Sequence, residues 1–269
     1  MSAMWLAVDA AGPGIAAWPV DERGTMGEPI AAATLDQLAS RSAHFDKVVV
    51  DGAADARQRP CPVEPSALNG ERRVLDAVPC LVLPALVANG ITLRGIARAV
   101  GALGKGDAKR PRLVCDCRRD GSVAWLHVAE GRIGRIAVAT TGATLASALA
   151  DLAKTGAADE DDDLAFERGL GIAEDARDLT ADLQQALVLA RDGHVRGGAV
   201  GAMLAGVLIG HDAAHGLRLG RLGGPVLLIG SGLMTERYAI ALGRFGVAMR
   251  RLAPLDAFRQ GCVALAGAG

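Results

Sequence analysis

The sequence predicts an α/β protein made of two similar halves. Two observations carry that reading: an ungapped internal repeat, and a change from strand-like to helix-like hydrophobic spacing inside each copy. A shift of 107 positions superposes Asp9 on Asp116, Gly14 on Gly121, Trp18 on Trp125 and Gly24 on Gly131. The same offset aligns Leu6 with Leu113, Ala17 with Ala124, Ala32 with Ala139, Thr34 with Thr141, Leu38 with Leu145, Ala39 with Ala146, Ser40 with Ser147 and Ala43 with Ala150. Alanine is abundant in this chain, so the Asp, Gly, Trp and Thr coincidences carry most of the weight.

Each copy reads in the same order. In the first, an apolar run from Trp5 to Val8 reaches Asp9, passes a turn containing Gly12 and Gly14, and resumes as a second strand ending near Trp18. In the second, Leu113 to Cys115 leads to Asp116, the turn contains Gly121, and the next strand ends near Trp125. A third strand follows in both. Thr34 and Thr141 then stand where a helix N-cap belongs, ahead of Leu35, Leu38 and Ala39 in one copy and Leu145, Leu149 and Leu152 in the other. Val48 to Val50 predicts a buried strand in the first copy, with Pro225 to Ile229 as its late counterpart in the second. Helical patterns cover Ala199 to Leu217 and Met234 to Phe245, and Pro254 starts a last helix to Ala266. The polar stretch Gly104 to Pro111 reads as the linker, which places the units at residues 1–106 and 107–269. The acidic run Asp159 to Asp163 reads as a solvated loop, since like charges repel.

Composition narrows the function classes. A net charge of −1 and only three Trp, one Tyr and four Phe argue against a nucleic-acid binder, which needs a basic stripe and stacking rings. With 51% apolar residues the chain can bury a sizeable core, so disorder is excluded. The longest uncharged stretch, Gly197 to Gly210, is fourteen residues with five glycines, short of the roughly 20 that a membrane span needs. The N-terminus lacks a basic n-region and Asp9 cuts its apolar run. A cytoplasmic chain with no membrane partner and five reduced cysteines is the expectation.

The pieces suggest phosphate chemistry. Two hairpins, each with an Asp at the end of its first strand and glycine in the turn, would face one another across a pseudo-dyad as a two-sided clamp. Glycine N–H groups approach phosphate closely, and a neighbouring carboxylate can hold Mg²⁺ through water. Asp9 with Gly12 and Gly14 is one half; Asp116 or Asp120 with Gly121 and Ser122 is the other. Taken alone, either hairpin is explained by tight turns with Asp caps. The strand Val226 to Ile229 opens through Gly230-Ser231-Gly232 onto a helix, whose N-terminus favours an anion or a nucleotide. It is neither a Walker loop nor a full dinucleotide fingerprint. His211 and His215 stand one turn apart without a third metal ligand, so a solvated helix face is expected there. Cys115 and Cys117 share one strand face and read as small buried hydrophobes.

Specific segments give these pieces a family context. Ala165-Phe166-Glu167-Arg168-Gly169-Leu170, Leu204 to Gly210, and Gly230-Ser231-Gly232-Leu233 running through Tyr238 to Leu242 resemble the 2-dehydro-3-deoxygalactonokinase family in order and spacing. Gly131-Arg132-Ile133, Thr141-Gly142 and Leu93-Arg94-Gly95 are similar to further family segments. The resemblance implies duplicated actin-like ATPase domains, ribonuclease H-like in topology, around a central cleft. It further implies ATP and Mg²⁺ as cofactors and a 2-keto-3-deoxy sugar acid as substrate. On that footing Asp116 or Asp120 is the general base, and Asp9 is the outer-sphere metal carboxylate. Gly12, Gly14, Gly121, Ser122, Thr141, Gly142, Gly230, Ser231 and Gly232 hold phosphate and nucleotide. Arg94, Gly95 and Trp125 lie on the sugar-acid side. A homodimer is allowed, and no nucleic-acid partner is implied.

The departures fall on charged positions. The family's Asp-Trp-Gly opening stands here as Asp9-Ala10-Ala11, and its Arg-Ala-Trp as Ala16-Ala17-Trp18. The two Glu after Arg-Gly are replaced by Ile96-Ala97. The hairpin motif Gly-Thr-His-Ser-Lys-Trp is reduced to Asp120-Gly121-Ser122-Val123-Ala124-Trp125, and Thr-Gly-Glu to Thr141-Gly142-Ala143. Phosphoryl transfer needs cations around the moving charge, so Arg118 or Arg119 would have to stand in for the lost Lys. The leading reading is an ATP-dependent sugar-acid kinase. The alternative is a catalytically impaired pseudokinase of the same fold, acting as a ligand-binding or regulatory subunit.

Overall fold

The computed structural model describes residues 4–11, 14–39, 45–75, 78–104, 110–139, 163–175, 178–195 and 197–266. The first half opens with β1 (Trp5–Asp9), β2 (Ile15–Val20), β3 (Ile30–Ala32), helix α1 (Leu35–Ala39) and β4 (Lys47–Asp51). It continues through β5 (Gln58–Pro60), β6 (Glu71–Leu75), β7 (Val78–Val82), β8 (Ala85–Ala88), β9 (Ile91–Leu93) and α2 (Ala97–Leu103). The second half contains β10 (Arg112–Cys117), β11 (Val123–Ala129), β12 (Arg132–Ala139), α3 (Asp163–Ile172), α4 (Leu179–Arg191) and α5 (Val200–Leu217). It ends with β13 (Val226–Ile229), α6 (Leu233–Arg244), β14 (Met249–Leu252) and α7 (Pro254–Ala266).

The repeat is visible in the sheets. One runs β3-β2-β1-β4-β7-β6, the other β12-β11-β10-β13-β14. In both, two antiparallel strands stand on one side of a parallel trio, β1/β4/β7 or β10/β13/β14, and the first sheet adds antiparallel β6 on the other side. The central strands are continuous apolar runs because neighbours and helices cover both faces: Leu6 to Val8, Val48 to Val50 and Val226 to Ile229 are all buried. The turns repeat as well. Gly14 and Gly121 have φ of 75° and 80°, and Gly24 and Gly131 have 77° and 73°, a left-handed conformation that favours glycine. The expected N-cap at Thr34 is present, its Oγ1 accepting from the Gln37 N–H at 3.2 Å. Its counterpart Thr141, the helix expected after it, and Asp159 to Asp162 lie outside the described residues, while Asp163 begins α3.

The halves do not pack separately. One core cluster joins Ala7, Val49 and Leu86 of the first half to Val114, Leu126, Ile229 and Phe258 of the second. Helix α7 follows the last strand of the second sheet yet lies on α2 of the first half. A Cβ at Gly101 would overlap the Ala257 carbonyl oxygen, and one at Gly261 the Ala97 carbonyl oxygen. Val63, just beyond β5 of the small sheet β5-β8-β9, adds a second tie by exchanging backbone hydrogen bonds with Ile133 of β12 at 3.0 and 2.8 Å. Helix α5 is long and apolar enough by length and composition to cross a membrane, but 78% of it is buried, where its apolar surface is core.

Candidate active site

Three loops meet where the two sheets face each other. β1 and β4 are parallel with Asp9 opposite Asp51, so both carboxylates leave the first sheet at the same level. β10 and β13 repeat the arrangement, with Asp116 opposite Ile229 and Gly230 next in line. The Arg94–Ala97 segment at the start of α2 lies between. The ends of β1 and β4, the start of α2 and the turn after β10 line a cavity of about 10 Å³ through Asp9, Ala11, Asp51, Gly95, Arg98, Arg118 and Arg119.

The three carboxylates live in different surroundings. Asp9 is 8% exposed, and its Oδ1 accepts from the Ala11 N–H at 3.0 Å, closing its own turn. Asp51 is buried and accepts from the Ile96 N–H at 2.9 Å and the Ala97 N–H at 2.7 Å, one on each oxygen. That pins the Arg94–Ala97 segment to the end of β4. Burial pushes the Asp51 carboxyl up to about 7 against the pull of the Ala97 N–H, and the neighbouring Asp9 charge adds to the rise. Asp116 is buried with Arg98 Nη2 at 2.7 Å and Arg118 Nε at 3.7 Å. Burial raises its pKa while the two guanidinium groups oppose the rise.

Arg118 crosses from the second half to the first. Its Nη2 donates to the Gly95 carbonyl at 3.1 Å and to the Arg94 carbonyl. A Cβ at Gly95 would overlap that guanidinium, so glycine is required there on space as well as on its φ of 69°. Arg98, fixed on α2, also donates to the Cys117 carbonyl at 3.1 Å.

The other expected residues are placed unevenly. Gly230 lies against Cys117, and a side chain on it would overlap Thr235 Oγ1. Gly232 caps α6 with no side-chain partner at φ of 75°, Ser231 is exposed, and the buried Thr235 hydroxyl has no hydrogen-bond partner. The Gly230 N–H donates to the Leu252 carbonyl at 3.4 Å, so what this loop offers at the edge that also carries Asp116 is the N-terminal turn of α6 and an unsatisfied hydroxyl. Gly14 and Gly121 turn their hairpins, whereas Gly12, Thr141 and Gly142 lie outside the described residues.

Two expectations need correction and one is displaced. Trp125 does not line the cleft: it is fully buried, and its Nε1 donates to Asp212 Oδ2 at 2.9 Å in the core beneath α5. The His211 to His215 segment is a solvated face only in part: His215 is exposed, whereas His211 and Asp212 are drawn into contacts. Asp212 also accepts from the Tyr238 hydroxyl at 2.6 Å, and His211 contacts Asp182 at 2.6 Å. Asp120, offered as a general base, is exposed, and its Oδ1 accepts from both the N–H and the hydroxyl of Ser122, at 2.9 and 2.6 Å. Sequence reasoning missed Asp51 and Arg98. Asp51 ends an apolar run just as Asp9 does, and Arg98 is the single charge in an otherwise apolar helix, so both left a readable signal.

Magnesium fits this donor set only loosely. Asp116 is committed to two guanidinium groups, and no group of three or more His, Cys, Asp or Glu able to hold a metal occurs among the described residues. Asp9 uses Oδ1 for its turn and keeps Oδ2 for the water shell of a cation.

Two repeated sheets with hairpins facing a common cleft, and a glycine loop feeding a helix beside it, define an actin-like sugar-kinase fold. The chain belongs to the 2-keto-3-deoxy-galactonokinase family, which it matches over residues 14–265. Among solved structures it is similar to a Sinorhizobium meliloti protein provisionally assigned as a 2-dehydro-3-deoxygalactonokinase, with a TM-score of 0.80 at 20% identity over 97% of this chain and 98% of that one. More distant likeness, at a TM-score of 0.43 and 15% identity over 98% of both chains, extends to a Streptomyces griseus ROK family glucokinase in complex with glucose and AMPPNP. No curated protein matches the chain.

Proposed function

We propose that the protein is a kinase that transfers the terminal phosphoryl group of ATP to a 2-keto-3-deoxy sugar acid such as 2-dehydro-3-deoxygalactonate. The observation that carries this reading is the convergence of Asp9, Asp51 and the Arg94–Gly95 segment with the second hairpin on one cleft. Asp51 takes the proton of the attacking hydroxyl, since a carboxyl held near 7 exchanges protons at neutral pH. Asp116 is paired with two arginines and the exposed Asp120 stands outside the cavity lining that Asp51 joins, so neither is as well placed for that role. Asp9 would hold a hydrated cation through its free oxygen, and such a cation would supply positive charge against that developing on the phosphates. The Gly230–Gly232 loop and the α6 N-terminus hold the nucleotide, and the exposed Arg94 side chain meets the sugar-acid carboxylate. A cleft this tightly filled would exclude the water that competes with the sugar hydroxyl once the ligands are seated.

A coupled ADP-release assay with MgATP and 2-dehydro-3-deoxygalactonate tests the reading. Turnover that falls by at least about 100-fold in Asp51→Asn and Asp9→Ala is expected. Turnover surviving in both would remove the site assignment. One observation favours the pseudokinase reading: the cleft is nearly filled, with Arg118 spanning it. Calorimetric binding of the ligands without turnover would establish that alternative.

A further inference from the structure

Two arginines face one carboxylate in the cleft, and they are not equivalent. Arg98 is buried, stands 2.7 Å from Asp116, and is anchored again on the Cys117 carbonyl. Arg118 stands 3.7 Å from the same carboxylate, beyond good hydrogen-bond reach, and places its Nη2 on two backbone carbonyls. Its charge therefore rests on neutral acceptors, one long ion pair with Asp116 and the more distant pull of the buried Asp51. An oxyanion adds opposite charge and a second parallel N–H···O bond that a single backbone carbonyl cannot offer the guanidinium, so these partners are exchangeable. Space points the same way. A cavity of about 10 Å³ has room for one water, and any larger ligand must displace a side chain. Asp9 and Asp51 are tied to N–H groups, Arg98 is held at two points, and Ala11 and Gly95 have no long side chain to move; of the two remaining lining residues Arg119 is exposed to solvent, whereas the Arg118 side chain, 10% exposed, fills the cleft.

We propose that Arg118 is the anion-binding residue of the cleft: it leaves the Arg94 and Gly95 carbonyls and clamps an oxyanion of the entering ligand, opening the cleft as it swings. The ligand class is a phosphoryl or carboxylate oxyanion, and only its naming rests on the kinase reading above. Arg98 stays on Asp116 during the exchange, and the buried Asp51, which also feels the Arg118 charge, keeps its two backbone N–H donors. The released carbonyls meet the solvent that the opening admits. The planar fork suits bidentate capture of either group, in place of the lysine absent from this hairpin.

Calorimetric titration of the wild type, Arg118→Ala and Arg118→Lys with ADP, with 2-dehydro-3-deoxygalactonate and with its neutral methyl ester tests the proposal without requiring turnover. Arg118→Ala should weaken the clamped anion about 10- to 100-fold while leaving the ester within about twofold. Arg118→Lys keeps the charge and should recover part of the loss, which separates anion binding from a folding defect. A loss confined to ADP identifies the phosphoryl group, and a loss confined to the sugar acid identifies the carboxylate. Unchanged or tighter binding of both anions to Arg118→Ala overturns the proposal and makes Arg118 a mere plug. A wild type that binds neither anion overturns it too, whereas binding without turnover overturns only the kinase reading.

Discussion

Asp9 and Asp116 occupy the same place in two copies of one sheet, yet they do different work. Asp9 keeps a sliver of exposure and spends one oxygen on its own turn. Asp116 is buried and held between an arginine from each half. A repeated motif thus reproduces a position, while the neighbours brought in from elsewhere decide its chemistry. The tryptophans repeat the lesson. Trp18 is half-buried against Phe258 of α7, with ring centres 5.4 Å apart, whereas Trp125 is sealed in the core and donates to Asp212.

The sharpest way to break the symmetry is to remove Arg98. Arg98→Leu leaves Asp116 buried beside only the distant Arg118, and should cost about 3–5 kcal/mol by urea unfolding. Asp9→Asn should cost no more than about 1 kcal/mol in the same assay. Equal losses would mean that the two aspartates are energetically alike after all.

Next in size is the tie between the halves. Gly101→Ala and Gly261→Ala each drive a Cβ into the facing helix backbone, so each should lose about 2–3 kcal/mol or more as α7 is pushed off α2. A loss below about 0.5 kcal/mol would show that the helices separate freely. Trp125→Phe removes a buried donor from Asp212 and should cost about 2 kcal/mol, against less than about 1 kcal/mol for the half-buried Trp18→Phe.

The subtlest prediction concerns slope. Asp51 binds its proton up to about pH 7 in the folded state, whereas an unfolded aspartate releases it near about 4. The folded state therefore holds more protons in that window. The stability that Asp51 contributes is complete below about pH 4 and is lost as pH rises through about 7. Urea midpoints of wild type and Asp51→Asn at pH 5 and 8 should show a smaller fall with pH in the variant. Asp116 and Asp212 shift in the same direction, so the difference between the two proteins is the readout.

Local pattern alone determined a good deal of this protein. The repeat, the central strands, the helix starts at Thr34 and Pro254, and the Asp9 and Asp116 positions depend on side-chain period and turn chemistry over a few residues. Such preferences act before the chain is compact. Only the tertiary structure decided that Arg98 and Arg118 converge on Asp116, that Asp51 rather than Asp120 enters the cleft, that Trp125 turns into the core, and that α7 lies on α2. Those outcomes join residues far apart in sequence, where close packing and the pairing of buried charge select the partners, and neither is written in the spacing of neighbouring residues.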